Sequence, residues 1–399
     1  MPRGEFDGPM SDQGVVNPAF WRGRSVLVTG HTGFKGAWLS LWLQSLGARV
    51  HGLSLGTPPS EPSLYELARV AEGMADSVVC DIRDPDAVAR AVAAARPEIV
   101  IHMAAQPLVR RSFAEPRATY ETNVIGTVNV LDAIRAREHT RAVVIVTSDK
   151  CYDNREAPRG DGDNREATRG DGDDHDGTRG YREGDPLGGH DPYSSSKAAA
   201  ELVTSAYRHS FFSGRTGADI PRVASARAGN VIGGGDWGAE RLVPDIVRAA
   251  TAGHTLRLRN PHAVRPWQHV LSPLSGYLTL ARALCESPVH ARAWNFGPDA
   301  RDARTVEWVV ARLSELWPGG IRWELDGGDH PHEASYLTLD SSLARTRLGW
   351  APALGLEEGL AATVAWYDAW RESRDVRELT LRQLAGAGPG VGAQSRPTM

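Results

Sequence analysis

A short apolar run, Ser25-Val26-Leu27-Val28-Thr29, leads into Gly30-His31-Thr32-Gly33-Phe34-Lys35-Gly36 and then into Ala37-Trp38-Leu39-Ser40-Leu41-Trp42-Leu43. A buried strand, a glycine-punctuated loop and an apolar helix, in that order, leave few folds open. Glycine lets the loop backbone approach a pyrophosphate and lets the helix pack closely on the sheet. The helix N-terminus adds amide donors and positive potential. The glycine pattern alone is weak, and its place at the first strand–helix junction makes it a dinucleotide site. Gly47 closes the helix. Further strands, Arg49–Leu53, Ser77–Cys80, Glu98–His102 and Ala142–Thr147, alternate with helical runs Pro85–Ala95 and Pro116–Ala136. This alternation predicts an α/β fold, a Rossmann-type doubly wound parallel sheet, with a smaller C-terminal α/β substrate domain.

The cofactor-binding candidates are Gly30, Thr32, Gly33, Phe34, Lys35 and Gly36. Asp81-Ile82 follows the third strand and can reach an adenine edge, although Asp81 suits a turn or cap nearly as well. The second strand ends His51-Gly52-Leu53-Ser54-Leu55, without the acidic residue that binds ribose hydroxyls. His31 and Lys35 can attract a 2′-phosphate, so the residues alone leave NAD and NADP open.

A second constellation lies downstream. Ser148-Asp149-Lys150 follows the strand ending at Thr147, and Tyr193-Ser194-Ser195-Ser196-Lys197 comes later. A Tyr and a Lys at this i, i+4 spacing share a helix face. The ammonium is expected to stabilise the phenolate and to lower the Tyr pKa from its reference of roughly 10. Such a Tyr takes the proton of an alcohol while hydride leaves the same carbon. Ser148 is placed to hold the alcohol oxygen. Asp149 and Lys150 add an acid–base pair that plain alcohol oxidation does not need. The alternative is a structural Asp–Lys pair. Catalysis is favoured because active sites lie beyond strand C-termini in such sheets.

With 399 residues, 41% hydrophobic and 24% charged, the chain can build two domains around a sizeable core. We expect 20–228 to hold the dinucleotide, with 262–298 returning to that domain. We expect 229–261 and 299–372 to form the substrate domain, and 1–19 and 386–399 to be tails. A net charge of −4 argues against nucleic acid or an anionic membrane as partner. Cys80, Cys151 and Cys285 form no CxxC and no Cys/His cluster, so neither a disulfide framework nor a metal site is expected. Reduced thiols, and no run near the ~20 apolar residues of a membrane span, point to the cytoplasm. Residues 153–162 are nearly copied in 163–172, with a degraded third copy from Asp173. These copies are almost devoid of apolar residues, so 153–180 reads as a low-complexity surface insertion. It lacks the terminal Glu of a calcium loop.

The glycine loop, Ala104-Ala105-Gln106, Asn123, Ser148 and Tyr193…Lys197 occur in an order that resembles the extended short-chain dehydrogenase/reductase family. Within it the chain looks like the CDP-glucose 4,6-dehydratase group over roughly residues 21–372. The likeness is carried by Gly30–Gly36, Ala104–Arg110, Thr147–Tyr152, Arg227–Trp237 and Arg265–Val270. Lys150 favours this group, since the dTDP-glucose enzymes carry Asp-Glu where this chain has Asp149-Lys150. The resemblance implies tightly held NAD, with Ala104, Ala105, Gln106, Asn123, Tyr193 and Lys197 among its contacts. It implies CDP-glucose as substrate, and homodimers joined through helices around 116–136 and 193–213. It implies Tyr193 as base at carbon 4, Asp149 as acid at the 6-hydroxyl and Lys150 as base at carbon 5.

A diphosphate needs cations or backbone amides. Arg265 is the first candidate and Arg241 the second, with Asn230 and His269 as further substrate contacts. Arg241 suits a solvated surface equally well. Of Arg110 and Arg111, one is expected to be structural. His332-Glu333 can close the pocket, although such a pair usually lies on the surface. Trp317, Trp323 and Trp350 are expected to pack rather than stack on a base. Two other readings stay open: another nucleotide-sugar dehydratase or a 4-epimerase, and a dinucleotide-binding protein without catalysis.

Overall fold

The computed structural model describes residues 16–387 except 136, 138, 155–178, 214–219 and 327–336. The decamer copies from residue 155 on and His332-Glu333 lie outside the described residues. A seven-stranded sheet forms the centre, built from β1 (Ser25–Thr29), β2 (Arg49–Ser54), β3 (Asp76–Val79), β4 (Ile99–His102), β5 (Ala142–Val146), β6 (Arg222–Arg227) and β7 (Ala293–Asn295). Their order is β3-β2-β1-β4-β5-β6-β7, and every pair is parallel. β1, β4 and β5 are buried along their whole length. A parallel sheet covered by helices on both faces demands such continuous apolar strands. The order reverses between β1 and β4, which opens a crevice beyond their C-terminal ends. The doubly wound fold predicted from the alternation is therefore the fold observed.

β1 and the helix Pro85–Ala95 have the boundaries the pattern predicts. Asp84 caps that helix by accepting from the Ala87 amide at 2.9 Å, and Pro85 occupies its first turn. The first long helix, Phe34–Ser45, starts inside the glycine loop rather than after it. The predicted helix over 116–136 is broken into Pro116–Tyr120, a π-helical turn Glu121–Ile125 and Gly126–Arg135. Asn123 is the buried residue of that turn.

Beyond β6 the chain forms short pairs. Val231–Ile232 runs parallel to Gln268–His269, and Leu256–Leu258 parallel to Trp323–Leu325. Val264–Pro266 pairs antiparallel with Ala303–Thr305. The described residues nearest the two termini are packed on the fold. Val16 is buried, and Asn17 caps the short helix Pro18–Trp21. A helix not read from the sequence, Val376–Gly386, packs against Phe34–Ser45. Trp366 donates to the Thr380 hydroxyl at 2.9 Å, and Arg377 donates to the carbonyls of Ala68 and Arg69 at 2.6 Å each. Trp317 and Trp350 are buried in the main core, and Trp323 packs at its edge. The three cysteines are free and buried. Among the described residues no helix is long and apolar enough to cross a membrane, and no His/Cys/Asp/Glu group could hold a metal ion.

Two buried histidines make the fold acid-sensitive. Burial pushes His102 and His269 down to about 3 each. The unfolded chain protonates histidine near 6.5, so below that pH it binds more protons than the folded chain. This stability is present above pH ~6.5 and is lost as pH falls towards ~3. At pH ~5 each histidine costs about 2 kcal/mol. Thermal unfolding is expected to show a clearly lower Tm at pH ~5 than at pH ~7. Equal values would remove these histidines as the source of acid sensitivity.

Candidate active site

Two cavities meet at the crevice. The first, about 460 Å³, lies on the glycine loop. Gly30 has φ +73°, and a Cβ there would stand 2.9 Å from the Ala104 backbone. A Cβ on Gly36 would collide with the Gly30 carbonyl. Only glycine lets the loop turn this tightly against the next strand end. Thr32, Gly33, Phe34 and Lys35 line the cavity with these two glycines. Asp81, Ile82, Ala104, Ala105 and Gln106 line it too.

Three candidates sit differently from their expected places. Asp81 reaches the cavity, but its carboxylate also takes the Arg83 guanidinium at 2.6 and 2.9 Å, which holds its pKa below the usual range. Asn123 lines neither cavity. Its amide accepts from the Gln106 N–H at 2.8 Å and donates to the Gln106 carbonyl at 3.1 Å and the Ser196 hydroxyl at 2.9 Å. It therefore fixes the Gln106 loop rather than touching a ligand. His31 is fully buried, bonded to the Ser77 hydroxyl at 2.8 Å and edge-on to Tyr65. Burial lowers its pKa, so it is no receptor for a 2′-phosphate. Gly52 leaves the room its ring needs.

The second cavity, about 360 Å³, shares Phe34, Lys35, Pro107, Leu108, Asp236 and Arg241 with the first. Ser148, Asp149, Lys150 and Tyr193 line it, as do Asn230 and Arg265. The turn that follows β5 carries the first three. Ser148 caps a single helical turn, Asp149–Cys151, by accepting from the Lys150 amide at 3.3 Å. The same hydroxyl donates to Asp149 Oδ1 at 2.9 Å. Asp149 is buried, and its Oδ2 has no hydrogen-bond partner among the described residues. A buried carboxylate oxygen without a partner is costly. A hydroxyl entering the cavity would satisfy it.

Gly229 faces this carboxylate, and a Cβ there would run into Oδ2. The substitution Gly229→Ala is expected to displace Asp149 and lower kcat by about 10²-fold, as misplaced catalytic groups do. Steady-state kinetics with an unchanged fold by circular dichroism check this. Full activity would mean that the Asp149 position is not critical.

Tyr193 opens the helix Pro192–Phe211, where Asp191 accepts from the Ser194 amide at 2.9 Å and Pro192 fills the first position. Tyr193 and Lys197 are both buried. The expected drop in the Tyr193 pKa is not found. Burial drives the phenol up to about 12, although its hydrogen bond with Ser148 and the charge of Arg241 pull it down. Lys197 is itself pushed down to about 8 by burial, and its Nζ donates to the Val146 carbonyl at 3.5 Å. It lines neither cavity.

Arg241 is paired with Asp236 at 3.1 Å, so it is no free surface charge. That carboxylate raises its pKa further. Arg265 is buried in its strand and donates to the Val264 carbonyl at 3.0 Å. Asn230 has φ +36°, a left-handed conformation Asn tolerates better than most residues. His269 is the clear correction among the substrate candidates. It is fully buried, edge-on to Trp38, and lines neither cavity. Its position after Arg265 in a strand pair turns it into the core.

The model of the NAD dependent epimerase/dehydratase family matches residues 26–297. The chain belongs to this family. A curated relative in Salmonella typhimurium, CDP-glucose 4,6-dehydratase, is 47% identical over 376 residues, covering 93% of this chain and 98% of its own. A dTDP-glucose 4,6-dehydratase of Streptomyces griseus is 30% identical, covering 72% and 76%. The crystal structure of DesIV, a dTDP-glucose 4,6-dehydratase from Streptomyces venezuelae with NAD and TYD bound, superposes with a TM-score of 0.69. It has 24% identity and covers 88% of this chain and 99% of that one. The glycine cradle, the apolar Ile82 and the cavity they line fit the NAD of the epimerase/dehydratase family.

Other residues of the site were not singled out from the sequence. Lys35 was assigned only to the cofactor loop, yet it lines both cavities. Burial, with Lys197 and Arg241 nearby, pushes it down to about 8. Beneath the turn lies a buried ion pair, Glu201–Arg227 at 2.8 Å. Glu201 accepts from the hydroxyls of Thr147 and Ser225, and Arg227 donates to the Tyr152 hydroxyl at 2.7 Å. Thr147 and Tyr152 flank the turn, so one ion pair holds it at both ends. The helical spacing from Lys197 to Glu201 was the available signal.

Proposed function

We propose that the chain converts CDP-D-glucose to CDP-4-dehydro-6-deoxy-D-glucose and water. The observation that carries this reading is the meeting of Asp149 and Lys150 with Ser148 and Tyr193 in one cavity beside the glycine-loop cavity. The 47% identity to a CDP-glucose 4,6-dehydratase supports the nucleotide. NAD, when bound, accepts hydride from carbon 4 and returns it to carbon 6, and its cationic ring favours the Tyr193 phenolate.

Tyr193 takes the proton of the 4-hydroxyl, which Ser148 orients. The 4-ketone acidifies carbon 5, and Lys150 removes that proton. Asp149 gives its proton to the departing 6-hydroxyl, which leaves as water. Lys150 then returns its proton to carbon 5. Arg241 and Arg265 hold the diphosphate, and Asn230 contacts phosphate or sugar. Lys197 supports the charge at Tyr193 and the ribose of the dinucleotide.

A 4-epimerase would need the glycine loop, Tyr193 and Lys197 but no base at carbon 5, so Asp149 and Lys150 disfavour it. We place the enzyme in the cytoplasm, where nucleotide sugars and NAD occur. A second copy of the chain fits the exposed Tyr120, Ile125 and Leu202, which lie on the helical segment 116–125 and the helix Pro192–Phe211. The deciding experiment offers CDP-, dTDP-, UDP- and GDP-glucose in parallel and analyses products. A 4-keto-6-deoxy sugar from CDP-glucose is expected. Its absence there sinks the substrate reading.

A further inference from the structure

The reaction leaves a proton in the wrong place. Tyr193 gains one proton when the 4-hydroxyl is oxidised, and Asp149 loses one when water departs. The site is ready for the next sugar only after a proton has moved from Tyr193 to Asp149. Both groups are buried, at 8% and 2% exposure, so bulk water reaches them poorly.

Ser148 stands between them. Its hydroxyl donates to Asp149 Oδ1 at 2.9 Å, and it shares one cavity with the Tyr193 phenol, whose pKa it pulls down. It also accepts from the Lys150 amide at 3.3 Å. A serine hydroxyl has one proton to donate and two lone pairs. With Asp149 ionised and a protonated Tyr193 turned onto the serine, all three would be used: two acceptances, from phenol and amide, and one donation, to carboxylate. The amide bond keeps the oxygen in place while the other two reverse.

We propose that Ser148 is a proton relay that resets the site after each turnover. The phenol gives its proton to Ser148 Oγ as the serine proton passes to Asp149 Oδ1. One O–H bond breaks and one forms at the serine, so its own composition is unchanged. Tyr193 ends as phenolate and Asp149 as carboxylic acid, the pair the next turnover needs. No other acid, base or redox partner enters the balance. The partnerless Asp149 Oδ2 is then the oxygen that faces the 6-hydroxyl, while Oδ1 receives the proton from behind.

The relay rests on the proposed dehydration, and its test separates the two. Wild-type turnover of CDP-glucose reports on the reaction, and the time course of the variants reports on the relay. Ser148→Ala is mixed with excess CDP-glucose in rapid-quench experiments on the NAD-loaded enzyme. The expected result is a burst near one equivalent of product, followed by a steady rate at least about 10-fold slower than the burst. Added imidazole, a small proton carrier, should raise the slow phase and leave the burst unchanged. Ser148→Thr, which keeps a hydroxyl, should restore the wild-type course. A merely orienting serine predicts burst and steady rate reduced alike, with no effect of imidazole. That outcome overturns the relay.

Discussion

Tyr193→Phe is expected to lower kcat on CDP-glucose by about 10²–10⁴-fold, the usual contribution of a positioned general base. The change removes one oxygen and almost no volume, so the buried helix start at Pro192 should stay intact. The phenol is the group nearest in role to the 4-hydroxyl, and among the described residues no other phenol lines the substrate cavity. Burial drives its pKa up to about 12. Charge from the ligands must therefore help to ionise it, and the variant loses that whole device. Steady-state kinetics check the loss, and KM should change little because the phenol contributes mainly after binding. Retention of more than a tenth of kcat would mean that another group takes the proton.

Lys150→Met is the second large effect, and it divides the reaction. Methionine keeps the length of the side chain and removes the amine that serves as base. Water loss is expected to fall by about 10²–10⁴-fold. Oxidation at carbon 4 should continue, because Tyr193, Ser148 and Lys197 are untouched. The readout is twofold: loss of 4-keto-6-deoxy product, and a persisting absorbance change of the dinucleotide on substrate addition. Undiminished dehydration would remove Lys150 as the carbon 5 base. Loss of both signals would instead point to a disturbed site.

Local pattern made the frame legible. β1 and the helix Pro85–Ala95 were bounded by their own residues, through an apolar run and a Pro-Asp start. The fold class follows from the repeated alternation, and the turn Ser148–Lys150 is placed by standing directly after β5. What escaped depends on partners far along the chain. His269 is buried against Trp38 and Gly359. His31 occupies the space that Gly52 vacates. The Tyr193 pKa follows burial, which a helical spacing from Lys197 does not encode. The helix Val376–Gly386 is held by packing on a helix near the other end of the chain.

The residues around the repeated decamers carry a consequence for how this gene can change. Tyr152 and Tyr181 stack with ring centres 4.8 Å apart, and the Tyr181 hydroxyl donates to Asn154 Oδ1 at 2.9 Å. The Asp153 amide donates to the Pro186 carbonyl at 3.0 Å, and the Gly188 amide to the Cys151 carbonyl at 2.9 Å. These contacts close a stem between the catalytic turn and the helix that starts at Pro192. Closure entropy in general grows slowly with loop length, by about 0.6 kcal/mol for each doubling. We therefore expect the geometry of Ser148 and Tyr193 to tolerate the gain or loss of ten codons at a time.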